Sequence, residues 1–232
     1  AVIFLSTGNP VDFLFHDSDL ARTDDLVQEA LTAADLSHKP CVLAGMSLAG
    51  TRAMRLARYC GEGRSKNKWT PAGVVLCDSP LDMVRFWRAD EKAKSRDANT
   101  IATNEATWVN AYLERELGGT PNTALDAYLR YSPYSYSDPD SDALAPFRDL
   151  PLRAYHEPDV DWWMTNRGKD YYAMNSVDLA ALVNALRLLG NDRAELITSV
   201  DKRMFPSVNS PHTWKIVDPK DLVKWVSGVV RG

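Results

Sequence analysis

The sequence has few cysteines, no long apolar run and no excess of positive charge. Its three cysteines, Cys41, Cys60 and Cys77, among 232 residues are too few for a disulfide framework, and they do not form a zinc-binding pattern. No stretch approaches the roughly 18 consecutive apolar residues of a transmembrane helix, so we do not expect the chain to span a membrane. With 27 Lys and Arg against 31 Asp and Glu, the net charge is −4, which argues against nucleic acid as a partner.

The remaining composition is that of a soluble globular protein. Hydrophobic residues make up 45% and charged residues 25% of the chain, and one α/β domain of this length can bury its core without disulfides or metals. The sequence begins at Ala1 without a Met or a charged-then-apolar leader. We therefore expect that any targeting segment was removed or was never present, which leaves cytoplasm and export both open as compartments. Composition does not indicate an oligomeric state.

Short apolar runs alternate with amphipathic segments, which predicts a mostly parallel sheet flanked by helices. The strand candidates are Ala1–Leu5, Pro40–Ala44, Gly73–Cys77, Leu152–Tyr155 and Glu195–Ser199. Helices are predicted from an N-cap at Thr23 to Leu36, from the turn at Ser47 through Tyr59, from an N-cap at Ser176 to Leu189, and onward from Asp218-Pro219.

Residues 81–146 differ from this alternation. Helical segments rich in Trp, Tyr and charge replace the strands there, and they are broken at Gly118-Gly119 and at Pro121. We interpret this region as a helical cap inserted into an α/β core, which residues 1–80 and 147–232 form. The predicted fold class is therefore α/β with a helical cap.

A serine lies on the predicted tight turn between the second strand candidate and its helix, at Gly45-Met46-Ser47-Leu48-Ala49. Such a turn forces a strained backbone on the serine and requires small residues two positions before and after it, which Gly45 and Ala49 supply. The following helix directs its free N–H groups toward the position where an oxyanion would form, and the Leu48 amide is the natural first donor. The pattern favours Ser47 as a nucleophile.

A serine nucleophile needs a base that removes its proton and a carboxylate that orients the base. His212 lies in a loop before the last predicted helix, and Asp159 lies just past the strand candidate Leu152–Tyr155. Because folds of this class place their chemistry in loops at the carboxyl ends of parallel strands, Ser47, Asp159 and His212 are expected at one edge of the sheet.

The order serine, acid, histidine, together with the turn at Ser47 and the inserted cap, resembles the α/β-hydrolase superfamily. The resemblance covers roughly Pro40 to Gly232. It implies a serine hydrolase of the carboxylesterase type, which cleaves an ester or related acyl bond of a small molecule or peptide through an acyl-serine, without a cofactor. Ser47 would be the nucleophile, His212 the general base and then acid, and Asp159 the orienting carboxylate.

Two assignments within this resemblance stay open. Asp161 and Glu157 share the loop of Asp159 and are alternatives for the acid. The family takes its second oxyanion donor from the loop after an early strand, and if Ala1–Leu5 is that strand, the donor is Gly8 in Thr7-Gly8-Asn9. A serine peptidase or amidase of the same fold would carry the same triad. A non-catalytic binding protein that kept the fold but lost the oxyanion hole or the base, with the cap pocket as its ligand site, is a further alternative.

Structural roles compete with each of these assignments. Ser47 is compatible with a plain turn, His212 with a structural histidine, and Asp159 or Asp161 with capping a helix that carries Trp162 and Trp163. The remaining histidines, His16, His38 and His156, are interpreted as surface or packing residues.

The aromatic residues of the cap, Trp87, Trp108 and Tyr112, are expected in its core rather than in an acyl pocket. Asp138-Pro139-Asp140-Ser141-Asp142 follows the alternation of a calcium loop but lacks its glycine and its final glutamate, so we expect no metal site.

Overall fold

The computed structural model describes residues 1–9, 11–97, 99–138, 142–200 and 210–231. Its strands form one parallel sheet in chain order. They are β1 (Val42–Met46), β2 (Gly73–Cys77), β3 (Leu152–His156) and β4 (Ala194–Thr198). The predicted parallel sheet flanked by helices is confirmed, and these strands closely follow four of the predicted apolar runs.

The helices of the described ranges are α1 (Asp17–Ala33), α2 (Leu48–Gly61), α3 (Met83–Arg96), α4 (Thr100–Leu117), α5 (Leu125–Tyr131), α6 (Val160–Arg167), α7 (Asn175–Leu188) and α8 (Pro219–Val229). Short 3-10 helices occur at Asp142–Phe147, Tyr171–Ala173 and Trp214–Ile216. None of the helices in these ranges is both long and apolar enough to cross a bilayer.

The two faces of the sheet are covered to different extents. Successive side chains of a strand point to opposite faces, so Leu76 packs with α2 and α7 on one side while Val75 packs toward α8 on the other. The α2 and α7 side forms the main core, whereas no residue of α8 is fully buried. The helices α2 and α7 therefore supply most of the apolar burial that holds the sheet.

The first helix begins earlier than its sequence predicts. Thr23 is not its N-cap, because the helix already begins at Asp17, where the His16 N–H donates to the carboxylate of Asp19 at 3.0 Å. Thr23 lies inside the helix and donates its hydroxyl hydrogen to the Asp19 carbonyl at 2.7 Å. A carboxylate three residues after the N-cap thus fixes the start of α1.

Two further helix starts test the capping predictions. The helix α7 begins at Asn175, one residue before the predicted cap at Ser176. The start of α8 is as predicted, because Asp218 caps the helix and Pro219 occupies its first turn.

The predicted strand Ala1–Leu5 does not form. These residues have no regular secondary structure, and Val2 and Phe4 are 80% and 92% exposed. Within the described part of the chain, β1 is an edge strand that pairs with β2 alone. The prediction was wrong because an apolar run becomes a strand only when a neighbour accepts its backbone hydrogen bonds.

The region between β2 and β3 contains α3, α4 and α5. A buried ion pair ties α3 to the core, since Arg85 Nη2 lies 2.6 Å from Asp178 Oδ2 on α7. The same carboxylate oxygen accepts the Leu81 and Asp82 N–H groups at 2.8 and 3.1 Å. This contact fixes the path of the chain where it leaves β2.

Candidate active site

Ser47 occupies a strained turn between β1 and α2. Its φ of 54° and ψ of −133° lie outside the regions that ordinary L-residues favour. The turn is tight enough that an ideal Cβ on Gly45 would lie 2.2 Å from the Ala49 carbonyl oxygen. A glycine is therefore required two residues before the serine, as the sequence pattern predicts.

The Ser47 side chain has no structural role in capping the helix. Ser47 is the N-cap residue of α2 but makes no side-chain capping bond, and within the described part of the chain its hydroxyl makes no hydrogen bond. Leu48 is the first residue of α2, where backbone N–H groups have no intrahelical acceptor. A half-buried hydroxyl thus lies beside the positive end of a helix dipole.

Asp78 follows β2 directly, at the same edge of the sheet. Met46 is in register with Cys77, so Ser47 and Asp78 are the next residues of two neighbouring strands, and the Ser47 N–H donates to the Cys77 carbonyl at 2.9 Å. Asp78 is buried and has a φ of +43°. This left-handed conformation is strained for most residues but tolerated by aspartate.

His212 lies against this buried carboxylate. Its Nδ1 is 2.5 Å from Asp78 Oδ2, and because an ionised carboxylate only accepts hydrogen bonds, Nδ1 is the donor. The bond fixes the tautomer and orients the ring, which leaves Nε2 as the basic nitrogen. Trp163 of α6 packs edge-on against the imidazole, with ring centroids 6.3 Å apart.

The acids predicted from the loop after β3 have other positions. Asp159 caps α6, where its Oδ1 accepts the Trp162 N–H at 2.8 Å, so the capping interpretation of this residue is confirmed. Asp161 is exposed on the first turn of α6, and Glu157 is buried. The structure brings His212 into a hydrogen bond with Asp78, and with none of these three residues.

Sequence reasoning therefore missed Asp78, although a signal for it was present. Asp78 directly follows the predicted strand Gly73–Cys77, which satisfies the same rule about carboxyl ends of strands that selected Asp159. What the sequence lacked was the strand order, which places β2 beside the strand that carries Ser47. It also gave no indication of the positive φ of Asp78.

The turn at Thr7-Gly8-Asn9 is held near the beginning of α2. Arg52, five residues after Ser47, donates from Nη2 to the Asn9 carbonyl at 3.4 Å and from Nε to the Asp12 carbonyl. The Gly8 N–H donates to the Ser6 hydroxyl at 3.1 Å. Gly8 as an oxyanion donor remains a prediction.

His156, at the end of β3, is buried rather than exposed. Its Nε2 bonds to Thr198 Oγ1 at 2.7 Å, while its Nδ1 has no hydrogen-bond partner among the described residues. Burial lowers the pKa of this imidazole, and the charge of Asp78 partly opposes the shift. His156 therefore stays neutral to a lower pH than an ordinary histidine, so at neutral pH it adds no positive charge near Asp78.

The aromatic residues predicted for the cap core pack mostly as expected. Tyr112 makes edge-on contacts with Phe13 and Phe15, and Trp87 donates its Nε1–H to Glu114 at 2.8 Å. Trp108 is about half exposed. Leu48 packs against the same cluster. The aromatic cluster therefore extends to the residue that follows Ser47.

The described ranges hold no group of three or more His, Cys, Asp or Glu side chains arranged to bind a metal ion. Residues 139–141, the middle of the calcium-like run at 138–142, lie outside the described residues.

No family model and no curated protein matches the chain. A search of solved structures finds a malate-bound thermophilic esterase from Thermogutta terrifontis with 16% sequence identity and a TM-score of 0.40. That match covers 91% of this chain and 73% of the esterase.

Proposed function

We propose that the protein is a serine hydrolase that cleaves a carboxylic ester or a related acyl bond. The observation that carries this proposal is the arrangement at one edge of the sheet. A strained serine without a capping role follows β1, and a histidine held by a buried aspartate lies at the end of the neighbouring strand. These are the parts that nucleophilic catalysis by serine requires.

The proposed acid is Asp78, in place of Asp159. In this assignment His212 Nε2 takes the proton of the Ser47 hydroxyl as the oxygen attacks the carbonyl carbon, and the imidazolium then protonates the leaving alcohol. A water molecule then attacks the acyl-serine with the same proton transfers through His212, which releases the carboxylic acid product and restores the Ser47 hydroxyl. Asp78 orients the imidazole and stabilises its protonated form.

The Leu48 N–H is the proposed first donor to the tetrahedral oxyanion, because it lies at the free end of α2 directly after the nucleophile. The Gly8 N–H is the proposed second donor, which requires it to exchange the Ser6 hydroxyl for the substrate oxygen. Residues 81–146 are proposed to cover the site as a cap, since Leu48 packs against their aromatic cluster.

Hydrolysis of a short-chain nitrophenyl ester tests this function. We expect turnover by the unaltered protein and a loss on the order of 10³-fold or more in Ser47→Ala, because the substitution removes the attacking oxygen. Ser18→Ala, which removes an exposed hydroxyl from α1, is the matched control and should retain full activity. Equal turnover in Ser47→Ala and the unaltered protein would exclude Ser47 from the reaction.

A further inference from the structure

A second concave region lies on α2, away from Ser47. It is a groove of about 1040 Å³ between α1, α2, α4 and α5. Arg55 and Arg58 form part of its wall and lie roughly 12 and 17 Å from Ser47 along the helix, at 1.5 Å per residue. The groove is therefore separate from the proposed active site.

The two arginines are buried, and backbone carbonyls accept most of their hydrogen bonds. Arg55 is 5% exposed, and the side chain of Arg58 is 12% exposed. Arg55 donates to the carbonyls of Leu14 at 3.2 Å and Tyr131 at 2.5 Å. Arg58 donates to the carbonyls of Ser132 and Arg130 at 2.9 and 2.6 Å. Each guanidinium has five N–H groups, so both retain donors beyond these bonds.

Carboxylates compensate this charge poorly. Among the described residues, Arg55 has no carboxylate within ion-pair distance, and Arg58 has only Glu62, 3.9 Å from its Nε. Glu62 also pairs with Arg64 at 3.4 Å. Burial, reinforced by the charge of Arg55, lowers the pKa of Arg58 to about 10. The lowered pKa is consistent with an excess of buried positive charge at this wall.

Six carboxylate and five guanidinium side chains line the groove, and some of these carboxylates pair with other arginines. Asp17 pairs with Arg64, and Glu116 pairs with Arg115. Asp126 and Asp142 are exposed at the rim, where water and salt screen their charge. Partly buried apolar side chains also line the groove, including Phe15 and Leu129.

We propose that this groove binds a small organic anion, a carboxylate or a phosphate monoester attached to an apolar group. Arg55 and Arg58 hold the anionic oxygens through their remaining N–H donors, in the geometry that guanidinium groups favour for both anions. The apolar group packs against Phe15 and Leu129. This binding does not depend on the proposed hydrolase activity.

Calorimetric titration with phenyl phosphate and with benzoate tests the proposal, with benzyl alcohol as the neutral control. We expect at least one anion to bind with a Kd of about 1 mM or tighter, and more tightly than benzyl alcohol. The affinity of that anion should fall at higher salt. The tighter of the two anions identifies the preferred head group. Arg58→Gln should weaken binding at least tenfold, whereas Arg88→Gln, which alters an exposed arginine of α3, should not.

A measurement on the unaltered protein covers the case in which Arg58→Gln fails to fold. The arginine Nε–H signals in ¹H–¹⁵N spectra should include two that shift on addition of the anion and do not shift on addition of benzyl alcohol. Anion-independent spectra together with no heat of binding would overturn the proposal. So would an affinity that is equal in unaltered protein and folded Arg58→Gln.

Discussion

The loops that follow β2 and β3 begin alike and place their carboxylates differently. Both leave the carboxyl end of a parallel strand, and both present an aspartate within three residues of the strand end, Asp78 and Asp159. Asp78 binds His212, whereas Asp159 caps α6. Proximity to a strand end therefore does not decide which acid can serve a histidine.

Backbone conformation accounts for the difference. Asp78 adopts a φ of +43° directly after β2, and the buried carboxylate lies against the imidazole of His212. Asp159 has a φ of −82° and a ψ of 88°, and its side chain accepts an N–H of the helix that follows. One aspartate ends a strand in a left-handed conformation, and the other starts a helix.

Replacement of each aspartate by asparagine should give the largest contrast between the two loops. Asp78→Asn keeps the shape of the side chain but removes the charge that holds His212 in its tautomer, so kcat should fall by about 10³- to 10⁴-fold. Asp159→Asn keeps a good capping residue and should leave kcat within a few-fold. Kinetics on a nitrophenyl ester measure both, and a larger loss in Asp159→Asn would reverse the assignment of the acid.

A glycine substitution should disturb the β2 loop without touching either aspartate. An ideal Cβ on Gly50 would lie 1.9 Å from Ser79 Oγ and 2.7 Å from Ser79 Cβ, so Gly50→Ala must displace the residue after Asp78. We expect kcat to fall on the order of 10²-fold through misplacement of the acid, and the free energy of unfolding to fall by about 1–3 kcal/mol.

Gly228→Ala is the matched control for this substitution. Gly228 lies in α8 and has no atom within 4 Å of an added Cβ, so alanine should leave kcat unchanged and stabilise the helix by up to about 1 kcal/mol. Equal kcat values in the two variants would show that the β2 loop tolerates movement.

The smallest effect is expected at the N-cap of α6. Asp159→Ala removes the acceptor of the Trp162 N–H, which should lower the free energy of unfolding by about 1 kcal/mol and the Tm by about 2–4 °C. Asp159→Asn should retain most of that stability. Thermal unfolding of the two variants measures the difference, and unchanged stability in Asp159→Ala would argue against a capping role.

Much of the sheet and its helices could be predicted from sequence. Apolar runs such as Gly73–Cys77 locate the strands because a parallel sheet buries both faces. The glycine spacing around Ser47 predicts the tight turn because only a residue without a side chain fits there. These features are local, and the residues that cause them lie within a few positions.

The failures concern features that depend on distant parts of the chain. Ala1–Leu5 has the composition of a strand but no partner in the described sheet. The pairing of His212 with Asp78 joins residues 134 positions apart, and it depends on strand order and on the backbone of Asp78. A single sequence contains neither.

Labelling with a fluorophosphonate tests the central claim most directly, because the reagent reacts with a serine only when a base activates its hydroxyl. Mass spectrometry of the folded protein should find one adduct, on Ser47, and Asp78→Asn should form it far more slowly while Asp159→Asn forms it at the normal rate. An unlabelled Ser47 in folded protein, or labelling that is equally fast in Asp78→Asn, would contradict activation of Ser47 by the His212–Asp78 pair.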